Sequence, residues 1–288
     1  MGKRKPRPVP VLPEPLPGLV DAHTHLYSCG HRTADEVRAA ADRAATAGVA
    51  AVVTVGDDLA ESEAVVAAAE ADERVYAAVA VHPTRAREVT DPERGPAVRA
   101  RLAELAAHPR VVAVGETGLD HYWVGTMEGC ADPDEQEESL RWHAGLAGDL
   151  GKCLMIHNRD ADDDLLRVLG EVTGPGSGIP DVMLHCFSSP LDVAREALDR
   201  GYVLSFTGNV TFKANAHLRE AARLAPAGQL LVETDAPYMA PEPFRGARNE
   251  VGLVGYTARA VAEVRGQTPE EFVAELGETA GRVFGITV

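Results

Sequence analysis

The sequence predicts a single (β/α)8 TIM barrel, an α/β fold, and three observations favour it. Eight short apolar runs recur along the chain, each followed by a polar tip. Near-continuous apolar strands are typical of parallel sheets that are buried on both faces. Segments rich in alanine, arginine, glutamate and leucine separate the runs, and 288 residues suit one barrel of this kind.

The N-terminal residues precede the first apolar run and have a different composition. Residues 1–17 contain six prolines and show neither a helical nor a strand period. This composition predicts a flexible, basic, proline-rich and solvated arm. The barrel domain is expected to occupy residues 18–288, because no linker interrupts the pattern after Gly18.

The predicted strands alternate with predicted helices along the rest of the chain. Thr33 is a candidate N-cap for the first helix, and Asp132 precedes Pro133 and a carboxylate-rich first turn. An open, doubly wound sheet is the structural alternative, although no G-x-G-x-x-G or P-loop follows the first strand. The strands are expected at 18–26, 49–56, 75–83, 111–120, 153–160, 181–189, 201–209 and 230–237.

Charge and cysteine content narrow the classes of function. A net charge of −16 repels polyanions at long range, so a nucleic-acid substrate would need help from metal ions or clustered arginines. The four cysteines show no CxxC spacing, which favours a reducing compartment. Neither a membrane span nor the apolar core of a signal peptide is present, so we expect a cytoplasmic protein. We also expect the protein to be a monomer.

Histidines and carboxylates stand at the tips of most predicted strands. In a barrel these tips meet at the C-terminal mouth, so we expect the side chains in one small volume. Two imidazoles in an H-x-H pattern lie on the same side of a strand and are typical of half a metal site. A single histidine is more often an ordinary packed residue, so the prediction depends on the whole set. Its members are His23, His25, His82, Glu116, His157, His185, Glu233 and Asp235.

Several short blocks together resemble the TatD-type metal-dependent hydrolases and deoxyribonucleases. They are, in order, DAHTH, AVHP, VGETGLD, IHNRDA, HCFSS and ETDAPYMAPEPFRGARNE. The resemblance implies the same barrel fold and two divalent metal ions (Mg, Mn or Zn). It also implies that the residues at matching positions hold these ions: His23, His25 and Asp235 the first, His157 and His185 the second, and Glu116 both.

The same resemblance suggests roles in catalysis and shows some departures. Asp235 would accept a proton from the attacking water, Glu233 would support a ligand or water, and His82 would act without binding metal. The sequence departs from the family pattern at positions that are not predicted ligands, namely Tyr27, Ala236 and Val251. These departures bear on substrate preference more than on catalysis.

The substrate is predicted from the residues that follow the strand tips. Arg159, Arg245 and Arg248 follow predicted ligands, and their guanidinium groups suit phosphate oxygens. Glu116 replaces the fourth-strand lysine that bridges the metals in phosphotriesterases and dihydroorotases, which disfavours that branch. We therefore expect a deoxyribonuclease that cleaves phosphodiester bonds in DNA, single-stranded or at its ends.

Two alternatives remain open from the sequence. The first is a hydrolase of a small ester, amide or lactone on the same scaffold, because fold and metals do not fix the substrate. The second is a metal-binding structural or docking protein, which the complete ligand set disfavours.

Overall fold

A computed structural model describes residues 8–287, and its centre is one sheet of eight parallel strands. The strands follow one another in the sheet in chain order, and helices lie between them in the sequence. The predicted barrel is therefore confirmed. The strands are Leu19–Thr24 (β1), Val49–Gly56 (β2), Val75–Val79 (β3), Val111–Asp120 (β4), Cys153–Arg159 (β5), Val182–Leu184 (β6), Val203–Phe206 (β7) and Leu230–Val232 (β8).

Contacts between the ends of β8 and β1 bring the two edges of the sheet together. The main-chain N–H of Asp235 donates to the carbonyl oxygen of His23 at 2.9 Å. The buried carboxyl of Asp21 accepts hydrogen bonds from the main chain of Thr234 at 2.8 Å and from its hydroxyl at 2.5 Å. This junction places the residues after β8 beside the tip of β1.

The helices begin where the sequence signals predict. Thr33 caps the first helix and Asp132 caps the fifth, each in a capping box with a glutamate three residues later. The helices are Ala34–Ala45 (α1), Leu59–Ala71 (α2), Arg87–Thr90 (α3), Gly95–Ala106 (α4), Pro133–Leu150 (α5), Asp162–Val172 (α6), Leu191–Asp199 (α7), Ala216–Leu224 (α8), Val254–Arg265 (α9) and Pro269–Phe284 (α10). None of those formed by residues 8–287 has the length and apolar character needed to cross a membrane.

The segment before β1 differs from the predicted solvated arm. Leu16 is 1% exposed and belongs to the hydrophobic core, and its N–H donates to the carbonyl oxygen of Ala47 at 3.0 Å. The carbonyl oxygens of Val11 and Glu14 accept hydrogen bonds from α9. The side chain of Leu16 and the main chain at Val11 and Glu14 are therefore held against the barrel and differ from a solvated arm, whereas the side chain of Val11 is 62% exposed. Residues 1–7 lie outside the described residues.

Candidate active site

The predicted tip residues meet at the C-terminal mouth of the barrel. Glu116 lies within β4 and His157 within β5, whereas His25 and His185 directly follow the ends of β1 and β6. Every residue of β4 is buried, so the carboxylate of Glu116 is shielded from solvent within a mostly apolar strand. A buried carboxylate is costly unless cations or hydrogen-bond donors compensate it.

The two carboxylate oxygens of Glu116 face two different pairs of imidazoles. Oε1 lies 3.5 Å from Nε2 of His25 and 3.9 Å from Nε2 of His23. Oε2 lies 2.6 Å from Nε2 of His185 and 3.1 Å from Nδ1 of His157. The carboxylate therefore lies between two groups of nitrogen atoms, one on each side.

The first group combines two histidines with the carboxylate after β8. Nε2 of His23 and Nε2 of His25 are 3.2 Å apart, and Nε2 of His25 lies 3.4 Å from Oδ1 of Asp235. The ligand atoms of these three residues all lie within 4.8 Å of one another. Imidazole and carboxylate donors at this spacing could hold a Zn²⁺ or Mn²⁺ ion.

The second group is formed by β5 and the residue after β6. Nδ1 of His157 and Nε2 of His185 are 3.3 Å apart, and both face Oε2 of Glu116. These three residues form another cluster whose ligand atoms lie within 4.8 Å of one another. The structure thus brings all six predicted metal ligands together in two groups that share one carboxylate.

Three further carboxylates lie on the outer side of these histidines. Oδ2 of Asp120 is 3.2 Å from Nε2 of His157, and Oε1 of Glu233 is 3.3 Å from Nδ1 of His185. Oδ1 of Asp57 is 3.4 Å from Nδ1 of His25. Such outer partners fix the tautomer and orientation of a ligating imidazole.

Sequence reasoning missed Asp57 and Asp120. Both stand at the carboxyl end of a strand, Asp57 directly after β2 and Asp120 as the last residue of β4. The sequence feature that could have identified them is an acidic residue at the end of an apolar run, as in VAAVVTVGD and VVAVGETGLD. The same signal identified Glu233 and Asp235.

The electrostatics of the pocket favour positive charge close to Glu116. Burial lowers the pKa of His25, but the carboxylates of Asp57, Asp235 and Glu116 outweigh it and raise the pKa to about 10. Burial also disfavours the charged form of Glu116, yet the neighbouring His185 and His157 hold its pKa well below 4.5. A pocket that stabilises positive charge so strongly is suited to divalent cations.

His82 lies beside the second group and differs from the predicted ligands. The main-chain N–H of Thr84 donates to its Nδ1 at 3.2 Å, so the ring hydrogen is on Nε2. The ring centroids of His82 and His157 are 4.4 Å apart. Desolvation and the positive charge of His157 lower the pKa of His82 to about 3, so the imidazole is a neutral hydrogen-bond donor.

The three predicted substrate-binding arginines lie at the exposed rim and not among the histidines. Arg159 packs over the ring of Tyr122, and Arg245 packs over the ring of Phe212. Arg248 donates to the carbonyl oxygen of Ser28 at 2.9 Å. Within residues 8–287, none of the three arginines forms a hydrogen bond or ion pair with the clustered histidines and carboxylates.

Cys186, next to His185, does not fit the role of a thiol nucleophile. Burial, together with the charges of Asp235 and Glu233, raises the pKa of its thiol well above 9.0. A protonated thiol is a weak nucleophile. The residue contributes instead through its main-chain N–H, which donates to Oε1 of Glu233 at 2.7 Å.

Comparison with known proteins identifies the family of this chain. The family described as TatD related DNase matches residues 20–285. An uncharacterized metal-dependent hydrolase TatD of Mycobacterium tuberculosis is 54% identical over 93% of this chain and 98% of the relative. A protein of Cronobacter sakazakii named 3'-5' ssDNA/RNA exonuclease TatD is 34% identical over 84% of this chain and 89% of its own length.

Structural similarity agrees with the sequence. The crystal structure of YJJV, a TatD homologue from Escherichia coli, matches with a TM-score of 0.79 and 25% identity over 94% of this chain and 99% of that chain. The protein therefore belongs to the TatD family of metal-dependent hydrolases.

Proposed function

We propose that this hydrolase cleaves phosphodiester bonds in nucleic acid, with single-stranded DNA or DNA ends as the substrate. The observation that carries the proposal is the position of Glu116. Its Oε1 faces the pair His23 and His25, and its Oε2 faces the pair His157 and His185. A carboxylate in that position can bridge two cations, as in hydrolases that act on phosphate esters.

The donor set fits two divalent metal ions. His23, His25 and Asp235 would hold one ion, His157 and His185 would hold the other, and Glu116 would contact both. Mixed imidazole and carboxylate donors suit Zn²⁺ and Mn²⁺ better than Mg²⁺. Such ions, when bound, supply a water nucleophile near neutral pH and offset charge on the phosphoryl oxygens.

The remaining residues position the substrate and move a proton. Asp235 is 8% exposed, and its carboxylate would accept the proton of the attacking water. Glu233 holds His185 and the main chain of Cys186 in place, which fixes the second group of donors. Neutral His82 would donate from Nε2 to a phosphoryl oxygen and not protonate the leaving group.

Two observations support nucleic acid as the substrate class. Relatives from Cronobacter sakazakii and Klebsiella pneumoniae, at 34% and 32% identity, carry the name 3'-5' ssDNA/RNA exonuclease TatD. Exposed arginines also follow the tips of the β-strands around the mouth, where the phosphate groups of a bound nucleic acid would pass. The choice between DNA and RNA depends on contacts to the sugar.

A second candidate is hydrolysis of a small ester, amide or lactone at the same site. The net charge of −16 favours it, because a surface of this charge repels a polyanion at long range. Assays of one purified sample with Mg²⁺, Mn²⁺ or Zn²⁺ distinguish the two candidates. Turnover of a single-stranded oligonucleotide supports the first, and turnover confined to the small-ester panel supports the second.

Variants at the shared carboxylate and at the proposed proton acceptor test the mechanism. Glu116→Ala and Asp235→Asn are each expected to lower kcat on an oligonucleotide by roughly a thousandfold or more. The matched control is Asp163→Asn, an exposed carboxylate in the first turn of α6, which should retain wild-type turnover. Circular dichroism should show that all three variants are folded. Near-normal turnover by Glu116→Ala would contradict the proposed role.

A further inference from the structure

Most arginines within residues 8–287 form an ion pair with a carboxylate. Two examples lie at the same end of the barrel as the metal ligands. Arg85 pairs with Asp58, and Arg87 donates to both oxygens of Glu135 at 2.9 Å. An arginine paired in this way has little charge or donor capacity left for a ligand.

Three arginines at the mouth are held differently. The guanidinium of Arg159 lies 3.7 Å from the ring centre of Tyr122, that of Arg245 lies 4.2 Å from Phe212, and that of Arg32 lies 4.6 Å from Tyr27. All three arginines are exposed. Within the described chain, their guanidinium groups form neither an ion pair with a carboxylate nor a hydrogen bond. We call Arg32, Arg159 and Arg245 the arginine rim.

The arginine rim lies on the connections that leave the carboxyl ends of the strands. Tyr27 and Arg32 follow β1, Tyr122 follows β4, Arg159 ends β5, Phe212 follows β7, and Arg245 follows β8. Of these strands, β1, β4, β5 and β8 also supply metal-site residues, and all strand ends of this kind open onto the same mouth. The three positively charged groups therefore stand around the same mouth, on connections after the first, fifth and eighth strands.

An arginine–aromatic pair at the opposite end of the barrel provides a contrast. Arg110 lies 4.0 Å from the ring centre of Tyr76, just before β4. Its guanidinium donates to main-chain carbonyl oxygens, including those of Ala69 and Glu73. Its donors are already used inside the protein, whereas those of the arginine rim are not.

An aromatic ring can fix a guanidinium without neutralising it. The ring face attracts the cation and holds its plane, and the N–H groups stay available at the edge of that plane. A guanidinium offers two parallel donors that match the oxygens of a phosphate. The rings thus keep the three cations in place at the mouth with donors that can bind an anion.

We propose that the arginine rim binds the backbone phosphates of a single-stranded nucleic acid and guides it to the metal-ligating residues. The inference rests on the proposed function and adds the binding mode and a residue, Arg32, that was not predicted from the sequence. Arg159 covers one face of the Tyr122 ring, and the N–H groups at the edge of its guanidinium are left as donors for a phosphate oxygen. The rim also offsets, locally, the repulsion caused by the net charge of −16.

The test measures binding as a function of salt with the metal-loaded protein. A fluorescent oligothymidine with cleavage-resistant phosphorothioate linkages is titrated at several NaCl concentrations. Each arginine that contacts a phosphate of a single strand contributes about 0.7 to the slope of log K against log salt. The triple variant Arg32→Gln, Arg159→Gln, Arg245→Gln should therefore bind with a slope that is less negative than that of the wild type by about 2.

Matched variants distinguish the loss of the rim's positive charges from a nonspecific effect of substitution on the protein. Arg195→Gln removes one exposed positive charge on α7, outside the arginine rim, and should keep the wild-type slope. Tyr122→Leu keeps Arg159 but removes its support, so affinity should fall while the slope stays close to that of the wild type. A backbone oligomer without bases should bind the wild type with the same slope as oligothymidine.

The outcomes distinguish the inference from the proposed function. A triple variant with the slope of Arg195→Gln overturns the arginine rim, and loss of binding to the baseless oligomer overturns phosphate recognition in favour of base stacking. Cleavage of unmodified oligothymidine by the wild type is measured in parallel. If the wild type cleaves while the triple variant keeps its slope, only the rim is wrong. If the wild type binds through the rim but cleaves no phosphodiester, only the proposed function is wrong.

Discussion

Three histidines of the candidate site, His25, His157 and His185, are held from behind by a carboxylate. Asp120 faces Nε2 of His157 on the side opposite Glu116, so the ring presents Nδ1 to the centre of the pocket. Glu233 faces Nδ1 of His185, so this ring presents Nε2 to the centre of the pocket. The tautomer of each ring is thereby set by the protein, which is what a metal ligand requires.

Loss of this support should weaken metal binding without unfolding the chain. We expect Asp120→Ala to lower the affinity for Mn²⁺ or Zn²⁺ by about 10–100-fold, the range typical of such outer partners. Isothermal titration calorimetry of metal-depleted protein measures the change. Asp120→Asn can still accept a hydrogen bond, so it should restore part of the affinity. The control is again Asp163→Asn, and equal affinities for Asp120→Ala and the control would contradict the role.

Another buried histidine has a structural role and predicts a dependence of stability on pH. His143 in α5 is 0% exposed, accepts a hydrogen bond from the N–H of Val81 at 3.2 Å and donates to the carbonyl oxygen of Ser139 at 2.8 Å. The bond from Val81 needs the neutral ring, because a protonated Nε2 cannot accept, whereas Nδ1 can donate in either form. Burial lowers its pKa from 6.5 to about 4.

Because the folded state takes up this proton only at lower pH, acid favours the unfolded chain. The free energy of unfolding should lose about 2 kcal/mol through His143 between about pH 7.5 and pH 5. Urea unfolding of the wild type and His143→Gln at both pH values isolates this contribution from that of the other histidines. The stability difference between the two proteins should shrink by that amount at the lower pH. A constant difference would show that His143 titrates equally in both states.

At the level of elements, sequence patterns predicted the strands and the helix starts well. β4 and β5 are apolar along most of their length, and Thr33 and Asp132 carry capping signals that depend on only a few neighbouring residues. The segment at residues 11–16 gave no such signal. Its prolines exclude a regular hydrogen-bonding pattern, and the burial of Leu16 together with hydrogen bonds to α9 and Ala47 orders it.

The site residues also differ in how clearly the sequence reveals them. Glu116 is conspicuous because a carboxylate within an apolar strand demands an explanation. Asp57 and Asp120 stand where a strand ends, and an acidic residue there is also common in ordinary exposed turns. Only the distances to His25 and His157 distinguish the two cases.

The packed N-terminal segment should contribute measurably to stability. Leu16 is buried in the core, so Leu16→Ala should cost about 2–5 kcal/mol in the free energy of unfolding, the range for large-to-small core substitutions. Val11→Ala is the control, because Val11 is 62% exposed. Urea denaturation measures both variants. Equal midpoints for the two would mean that the segment is not part of the folded core.

At the scale of the whole molecule, the fold was predictable and the substrate was not. Strands that are apolar along most of their length require cover on both faces, and a closed ring of helices around a parallel sheet supplies it. The proposed substrate class rests on loop residues such as Arg32, whose packing over Tyr27 is visible only in the structure. The net charge of −16 alone suggests repulsion of a polyanion, whereas exposed arginines stand around the mouth.

Metal binding should stabilise the entire barrel, because the donors come from β1, β4, β5, β6 and the segment after β8. At a concentration of one hundred times Kd, a bound ion adds about 2.7 kcal/mol to the free energy of unfolding, which raises Tm by roughly 5 °C. Differential scanning fluorimetry with Mn²⁺ or Zn²⁺ measures the shift. Glu116→Ala should lose most of it, whereas Asp163→Asn should keep it. A full shift in Glu116→Ala would place the ions elsewhere.

The sharing of Glu116 by two groups of imidazoles has a consequence for how two ions would bind. A first ion would order the carboxylate for the second and at the same time neutralise part of the charge that would attract it. Occupancy of the two proposed positions would therefore be linked, and the linkage would act equally in both directions. A metal titration is then expected to depart from the isotherm of two independent, identical positions.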